Sequence, residues 1–297
     1  MIFRTRFAPS PTGPLHLGHA YSAMVAYELA ALHNGEFLLR IEDIDQGRAR
    51  PKWEAQIFDD LKWLGLCWPE PVLRQSTRQE GYASALDALW QRDLLYPCVC
   101  TRRDIQAAAS APQEGAPLHG PDGLIYPGTC RARKGTSSDP TPRPHGQNLR
   151  LDMSDAAAVI YNRSEFWEGG TGPKGESGQI TFAAEDLLRD VGDIVLARKD
   201  MATSYHLSVV LDDAAQGITD VVRGQDLFDA TQIHVLLQRL LYLPTPRYHH
   251  HALIRDETGK RLAKRDDSRA ISLYRSEGAT PADIRRLVGL ERLDWLG

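Results

Sequence analysis

The sequence predicts an α/β protein built on a parallel sheet, and three observations support this prediction. Strand patterns alternate with helix patterns through the first 95 residues. Apolar patterning of the same kind returns from about Asp193. Between the two stretches lies an irregular segment rich in alanine, proline, glycine and serine. Because strands separated by whole helices pair in parallel through right-handed crossovers, we expect one sheet whose two halves flank an insertion.

The predicted elements follow from local patterns. Turn residues separate the first strand from the first helix, Asn34-Gly35 ends that helix, and Pro51 and Gly65 bracket the next one. In chain order we expect a strand at 3–8, a helix at 17–32, a buried strand at 37–41, helices at 51–64 and 79–92, apolar runs at 194–196, 207–211 and 218–222, a helix at 228–241 and a strand at 248–254.

The composition is that of an ordinary globular protein. The 297 residues include 35 Lys+Arg and 39 Asp+Glu, a formal net charge of −4, and 42% are hydrophobic. These values exclude a mainly disordered, collagen-like or coiled-coil chain. No apolar run reaches the ~18 residues of a membrane span, and the N-terminus has no apolar signal stretch. Four cysteines do not make a disulfide scaffold, so we expect a cytoplasmic protein with no membrane partner, and a monomer is favoured.

The most informative segment lies between the first strand and the first helix, where α/β proteins bind phosphates. Gly13 and Gly18 have the spacing of a P-loop, but His19 stands where such a loop has lysine. His16 and His19 project from one side of the first helical turn, where both can donate hydrogen bonds to phosphoryl oxygens. Taken alone, two such histidines are more often surface residues at a helix cap.

The whole string Arg6-Phe7-Ala8-Pro9-Ser10-Pro11-Thr12-Gly13, followed by His16-Leu17-Gly18-His19, resembles the signature of the class I glutamyl-type aminoacyl-tRNA synthetases. The His-Leu-Gly-His segment stands for the HIGH motif of that family. The resemblance implies a Rossmann-like parallel sheet and an enzyme that activates glutamate with ATP. It implies that ATP is bound by Pro9, Gly13, His16, Gly18 and His19.

Further motifs of the same family follow along the chain. The segment around Glu42-Asp43-Ile44-Asp45 resembles the family's acidic stretch, and residues 203–224 resemble its second marked stretch. The resemblance implies that glutamate is bound by Arg6, Ala8, Ser10, Glu42, Tyr205 and Arg223. In this assignment Glu42 meets the amino group and Arg223 meets the side-chain carboxylate, as a bidentate pair where geometry allows.

Arg261-Leu262-Ala263-Lys264-Arg265 resembles a degenerate KMSKS loop. The resemblance makes Lys264 a catalytic residue together with His16 and His19, because its charge would stabilise negative charge on the α-phosphate. A basic pentapeptide after a glycine turn is otherwise usually a solvated loop. ATP is expected to bring Mg²⁺ as its counter-ion.

Three cysteines in two short clusters suggest a structural zinc ion. Cys98, Cys100 and Cys130 provide three thiolates, one ligand fewer than a closed tetrahedral site. His119 and His145 are generic candidates for the fourth ligand, whereas the family resemblance points to Tyr126. Cys67 is remote in sequence, and we expect it to be a buried thiol.

With the family resemblance, the expected organisation has four parts. Residues 1–95 form the first half of the nucleotide-binding catalytic domain, 96–190 an insertion with one zinc ion, 191–246 the second half, and 247–297 the KMSKS-like loop with a C-terminal helical segment. Only 32 residues follow Arg265, too few for the anticodon-binding domain of a full-length glutamyl enzyme. The chain therefore resembles a truncated paralogue within the family.

That resemblance implies the substrates. The paralogue activates L-glutamate with ATP and transfers it to the cyclopentene-diol of queuosine, at the wobble position in the anticodon stem-loop of tRNA(Asp). Residues 247–292 hold 11 Lys+Arg against 7 Asp+Glu, which is compatible either with RNA contact or with an ordinary solvated face. Three alternatives stay open: a truncated glutamyl or glutaminyl synthetase that charges a tRNA 3′ end, a non-catalytic nucleotide-binding module, and a small-molecule ligase of the same superfamily.

Overall fold

The structure is a computed structural model that describes residues 2–109, 119–134, 142–160, 163–254 and 269–290. The KMSKS-like segment at 261–265, with Lys264, lies outside the described residues. The strands are β1 (Arg4–Phe7), β2 (Glu36–Ile41), β3 (Leu73–Arg74), β4 (Leu95–Cys98), β5 (His119–Gly120), β6 (Gly123–Leu124), β7 (Asn148–Leu151), β8 (Arg163–Glu168), β9 (Gly178–Ala183), β10 (Val195–Ala197), β11 (Asp220–Gly224) and β12 (Arg247–His251). The helices are α1 (Leu17–Leu32), α2 (Pro51–Trp63), α3 (Gln79–Trp90), α4 (Arg102–Ala109), α5 (Met153–Ala157), α6 (Ala184–Asp186), α7 (Tyr205–Ala215), α8 (Thr231–Leu240), α9 (Ile271–Ser276) and α10 (Pro281–Leu287).

The predicted parallel sheet is confirmed, and it is assembled from both halves of the chain. Strands β1, β2 and β3 pair in parallel, and so do β11, β12 and β8. The two groups meet where β1 lies beside β11, because the Thr219 N–H donates to the Arg4 carbonyl at 3.0 Å. The carboxyl ends of these strands therefore face the same edge, where α/β proteins bind their ligands.

Most predicted elements are confirmed within a few residues. The helix expected at 17–32 is α1, and the strand expected at 37–41 is β2. The helix expected at 228–241 begins later, at Thr231. Sequence analysis missed the β8–β9 pair, which lies inside the predicted insertion but joins the main sheet through β12. Burial alternates along β8, but the buried face includes Ser164 and Glu168 and the exposed face includes Trp167, so the sequence does not show the apolar alternation of a strand.

A second, antiparallel sheet of β4, β7 and β10 stands at the side of the catalytic sheet. Strand β4 opens the predicted insertion, and β10 lies just after its predicted end. The hairpin of β5 and β6 packs beside the turn of π-helix at Leu187–Val191. The predicted divisions after residues 95, 190 and 246 stay predictions.

Helix α1 packs closely against the strands that form the site. Its inner face is alanine-rich, and Ala20, Ala23 and Met24 are fully buried. Small side chains let the helix axis approach β1 and β11, so the helix N-terminus is held directly above the ends of those strands. None of the described helices is both long and apolar enough to cross a membrane.

Asp60, on the inner side of α2, is a buried carboxyl group whose charge Arg275 compensates only in part. Its side chain is fully buried, and neither carboxylate oxygen has a hydrogen-bond partner in the described part of the chain. Burial raises the pKa of Asp60 to about 6, and the neighbouring charge of Asp59 adds to the shift. The folded state therefore favours the neutral carboxyl, and ionisation above this pKa lowers the free energy of unfolding.

We expect Asp60→Asn to stabilise the protein, because the amide removes a buried negative charge while keeping the shape. The free energy of unfolding should rise by about 1–3 kcal/mol at pH 8 and by less at pH 5, since the penalty develops between the unfolded pKa near 4 and the folded one near 6. Urea unfolding at both pH values measures this. The control is Asp229→Asn at an exposed position, and a gain that does not depend on pH would contradict the explanation.

Candidate active site

The residues of the glycine-containing loop lie where β1 and β2 end. The Pro9 carbonyl accepts a hydrogen bond of 3.0 Å from the backbone N–H of Glu42, which follows β2 directly. This bond ties the loop after β1 to the end of β2. Ala8 is partly buried, whereas Ser10 is exposed.

The first turn of α1 brings the two predicted histidines together. His16 is the N-cap residue, and its ring centroid lies 3.7 Å from that of His19. The His16 backbone N–H donates to His19 Nδ1 at 3.2 Å, so His19 carries its proton on Nε2, as a donor. A Cβ atom on Gly18 would lie 3.2 Å from His16 Cε1, so a side chain there would displace the His16 ring.

Two buried arginines near the strand ends share one buried carboxylate. Arg6 donates to both oxygens of Asp213, with Nε–Oδ1 at 2.9 Å, and Arg40 Nη1 donates to the same Oδ1 at 2.7 Å. Arg40 also donates to Glu42 Oε1 at 3.2 Å. Sequence analysis did not single out Arg40 or Asp213, because both are ordinary charged residues until the fold buries them.

The pKa shifts show which of these charges are compensated. Burial acts to raise the pKa of Asp213, but the positive charges of Arg6 and Arg40 outweigh it and leave this pKa lowered. Burial likewise raises the pKa of Glu42, and here Arg40 and Arg6 offset only part of the effect. Glu42 is thus a buried carboxyl group that a further cation would stabilise.

Arg223, near the end of β11, is the third buried arginine of the site and has a different set of partners. Its Nε donates to His250 Nε2 at 3.0 Å, and its Nη1 donates to His234 Nδ1 at 2.8 Å. Its Nη2 donates to Thr231 Oγ1 at 2.6 Å and to the Leu227 carbonyl at 3.2 Å. All four partners are neutral acceptors, and no carboxylate of the described residues forms an ion pair with it.

Tyr205 connects these two groups of charges. It is the first residue of α7, and its ring makes an edge contact with His206. Burial raises its pKa, and the charges of Arg223, Glu42 and Arg6 also act on it. Tyr205 and these three charged groups, which come from both halves of the chain, are therefore close enough for their charges to interact.

A cavity of about 520 Å³ is lined by segments that neighbour Glu42 and Tyr205 along the chain. It lies between the segment that follows Glu42 and the segment that precedes Tyr205. Its lining is Ile44, Asp45, Gln46, Gly47, Ser76, Gln79, Lys199, Asp200, Met201 and Ala202. Polar side chains predominate, and the volume lies in the usual range of ligand-binding pockets.

The four predicted metal-ligating side chains are brought together. The sulfurs of Cys98, Cys100 and Cys130 lie within 4.8 Å of one another. The Tyr126 hydroxyl lies 3.5 Å from Cys98 Sγ and 3.3 Å from Cys100 Sγ. In the described part of the chain, no histidine nitrogen joins this group, which disfavours His119 and His145 as the fourth ligand. The prediction for Cys67 was wrong, because that thiol is exposed.

The surroundings of the cluster favour anionic sulfur at Cys130, whereas burial raises the pKa of Cys100. Although burial acts to raise the pKa of Cys130, hydrogen bonds from Tyr126 and a backbone N–H lower it to about 7. Arg150 Nε donates to Cys98 Sγ at 3.3 Å, and its guanidinium stacks 3.8 Å from the centre of the Tyr126 ring. Three soft donors and one oxygen around a common point are a ligand set for a transition metal.

Fold and site together define a nucleotide-binding α/β enzyme. Its site holds an arginine with no anionic partner among the described residues and a carboxyl group that is only partly compensated. Comparison with known proteins extends this. Residues 2–120 and 176–295 match the family described as tRNA synthetases class I (E and Q), catalytic domain. The chain belongs to this family and is a ligase of the class I aminoacyl-tRNA synthetases.

Similar proteins cover nearly the whole chain. The glutamyl-Q tRNA(Asp) synthetase of Rhodobacter capsulatus is 62% identical over 291 residues, which are 96% of this chain and 99% of that protein. The protein of the same name from Ralstonia nicotianae is 41% identical over 97% of this chain and 85% of its own length. A glutamate tRNA ligase from Elizabethkingia meningosepticum, solved with its amino acid, is 26% identical with a TM-score of 0.74; it covers 97% of this chain, which spans 60% of that ligase.

We expect Asp213→Asn to destabilise the fold strongly, because it leaves two buried guanidinium groups without their shared anion. Loss of one member of a buried ion pair typically costs about 3–5 kcal/mol, and urea unfolding measures this cost. Glu36→Gln is the matched control, because it breaks the half-exposed pair with Arg4, whose side chains are 27% (Arg4) and 45% (Glu36) exposed, and should cost under about 1 kcal/mol. Equal losses in the two variants would contradict the central role of Asp213.

Proposed function

We propose that this chain activates L-glutamate with ATP and transfers the glutamyl group to the cyclopentene-diol of queuosine at the wobble position of tRNA(Asp). The observation that carries this proposal is the charge complementarity of the pocket. Arg223 has neutral partners and Glu42 is under-compensated, which matches a ligand that carries both a carboxylate and an ammonium group. The name of the relative that is 62% identical supports the same substrates.

In this proposal the glutamate side chain lies against Arg223. Four of the five N–H groups of Arg223 already have protein partners, which leaves one on Nη1. A bidentate pair with Arg223 alone would therefore break an existing bond. We assign the second hydrogen bond to the Tyr205 hydroxyl. Glu42 receives the ammonium group, and Arg6, Ala8 and Ser10 lie on the side of the loop after β1.

The first chemical step joins glutamate to ATP. An oxygen of the glutamate α-carboxylate attacks the α-phosphorus, the bond to the β-phosphate oxygen breaks, and pyrophosphate leaves with its Mg²⁺. We assign ATP to the loop of Pro9 and Gly13 and to the first turn of α1 at His16, Gly18 and His19. The Nε2–H of His19 can donate to a phosphoryl oxygen. Lys264, outside the described residues, stays predicted as the third catalytic group.

The second step transfers glutamate to RNA. A hydroxyl of the queuosine ring attacks the activated carbonyl carbon, gives up its proton, and AMP leaves. The cavity between the segments that follow Glu42 and precede Tyr205 is a suitable place for this ring, because polar side chains line part of it and its volume is about 520 Å³. Positioning and charge stabilisation suffice for a mixed anhydride, which needs no strong base. The reaction would take place in the cytoplasm.

A structural zinc ion held by Cys98, Cys100, Tyr126 and Cys130 is part of this proposal. Zn–S bonds of about 2.3 Å in a tetrahedron place two sulfurs roughly 3.8 Å apart, and a sulfur and an oxygen roughly 3.5 Å apart. The separations of 3.5 Å between Cys100 and Cys130 sulfurs and of 3.3–3.5 Å to the Tyr126 oxygen fit these values. Such an ion would stabilise a part of the chain with a small apolar core.

The position of the attached glutamate tests the transfer reaction. We expect labelled glutamate on tRNA(Asp) that contains queuosine, within the anticodon fragment after nuclease digestion, and none on tRNA(Asp) without it. The second candidate function is a synthetase that charges the 3′ end of a tRNA, and the similarity to a solved glutamate tRNA ligase is the reason to test it. Label on a 3′ terminal fragment would favour this second candidate.

Arg223→Gln tests the glutamate pocket in the same preparations. The variant should lower kcat/KM for glutamate in ATP–pyrophosphate exchange by at least ~30-fold, because a buried charge facing the substrate is removed. Arg198→Gln, at an exposed position outside the pocket, is the control. Exchange at the wild-type rate in Arg223→Gln would contradict the assignment.

Zinc content tests the metal site. We expect one zinc ion per chain in the purified protein, loss of zinc in Cys100→Ser, and at least ~10-fold weaker zinc retention against a chelator in Tyr126→Phe, since one donor is missing. Cys67→Ser, which removes the exposed thiol, should keep the zinc. Equal retention in Tyr126→Phe and the parent protein would exclude the phenol oxygen as a ligand.

A further inference from the structure

A continuous chain of hydrogen-bonded side chains passes through Arg223. On one side, His250 Nδ1 lies 2.5 Å from Glu168 Oε2. On the other side, His234 Nε2 lies 3.0 Å from His206 Nδ1, and His206 Nε2 lies 3.2 Å from Asp122 Oδ1. Of these five partner residues only His206 lies in a motif that predicted the site, and none of the five was predicted as a site residue. In order, the chain is Asp122, His206, His234, Arg223, His250 and Glu168.

The donor in the middle determines the direction of every bond. A guanidinium group can only donate, so His250 Nε2 and His234 Nδ1 must both accept. The proton of His250 is therefore on Nδ1 and points to Glu168. The proton of His234 is on Nε2 and points to His206, whose own proton then points to Asp122. Each histidine is thus neutral and held in one tautomer, and both directions end on a carboxylate.

This arrangement gives the buried guanidinium of Arg223 a counter-charge without a carboxylate in direct contact with it. A carboxylate in direct contact would neutralise Arg223, as Asp213 does for Arg6, and would compete with a substrate carboxylate. Here Glu168 is completely buried and lies one imidazole ring away from the guanidinium. It compensates the buried cation at a distance while the face toward the pocket stays free for an anion.

We propose that Glu168 and His250, with His234 and His206 on the other side, are positioning residues for substrate recognition, which hold Arg223 oriented and without an anionic partner for the glutamate carboxylate. The inference rests on the proposed function, because it assigns that carboxylate to Arg223. Glu168 acts on the substrate through the tautomer of His250. An isosteric change at Glu168 therefore alters the orientation of Arg223 across two hydrogen bonds.

Glu168→Gln is the most informative variant, because the Glu168 carboxylate accepts every hydrogen bond that it makes and an amide group must donate on one side. Oε1 accepts from the backbone N–H groups of Gly170 and His250, and Oε2 accepts from His250 Nδ1. An amide has one oxygen for these two positions. If its oxygen keeps the backbone bonds, its NH₂ group faces Nδ1, which must then lose its proton. The proton then lies on His250 Nε2, where it faces the Nε–H of Arg223. Two donors cannot form a hydrogen bond, so the bond between His250 and Arg223 is lost.

The experiment compares Glu168→Gln with Glu165→Gln, which changes the exposed face of the same strand. In glutamate-dependent ATP–pyrophosphate exchange, we expect the KM for glutamate to rise about tenfold or more in Glu168→Gln, with the KM for ATP unchanged. Glu165→Gln should behave as the parent protein. A merely structural role of Glu168 would lower the amount of active enzyme, and so kcat, without this selective change in KM.

A second measurement uses the parent protein and so does not depend on whether a variant folds. Long-range ¹⁵N–¹H spectra of the parent protein with labelled histidine report the tautomer of each ring, and we expect Nδ1–H for His250 and Nε2–H for His234. The opposite tautomer at either ring, or an unchanged glutamate KM in folded Glu168→Gln, would overturn the inference while leaving the proposed function intact. Exchange by the parent protein that does not depend on glutamate would overturn the proposed function instead.

Discussion

Three arginine side chains are buried where the parallel strands end, and the way in which their charges are compensated determines the site. Arg6 and Arg40 share Asp213, which lies on α7 in the second half of the chain. This ion-pair network joins β1 and β2 to α7 across more than 170 residues of sequence. An isolated cation at such a depth would be very costly, so the network requires that both halves of the sheet be in place together.

The way in which their charges are compensated separates Arg223 from the other two arginines. Arg6 and Arg40 contact a carboxylate directly, whereas among the described residues Arg223 reaches carboxylates through histidine rings. A buried guanidinium whose partners among the described residues are neutral keeps an attraction for an anionic ligand. Glu42 is the counterpart of opposite sign, since Arg40 and Arg6 compensate it only in part.

The inserted part of the chain is physically connected to this pocket. Asp122, in the hairpin of β5 and β6, ends the hydrogen-bonded chain that begins at Arg223. Four residues later, Tyr126 lies among the three cysteine sulfurs. The hairpin therefore links the cysteine cluster to the hydrogen-bonded chain that contains Arg223, which connects a segment with little apolar core to the candidate active site.

By itself, the sequence determined the fold class and the position of the nucleotide loop. The strand and helix periods of the first 95 residues, with Asn34-Gly35 and Pro51 as boundaries, predicted β1, α1, β2, α2 and α3 because these signals are local. Spacing within short motifs likewise selected His16, His19 and the cysteines, whereas Glu42 and Arg223 were selected by the resemblance of their segments to motifs of the family. Only the tertiary structure decided that Asp213 neutralises two arginines, that β8 joins the main sheet, and that Glu168 stands behind Arg223 through His250. These facts depend on burial and on contacts between distant segments, and the same residue types on a solvated surface would look no different in the sequence.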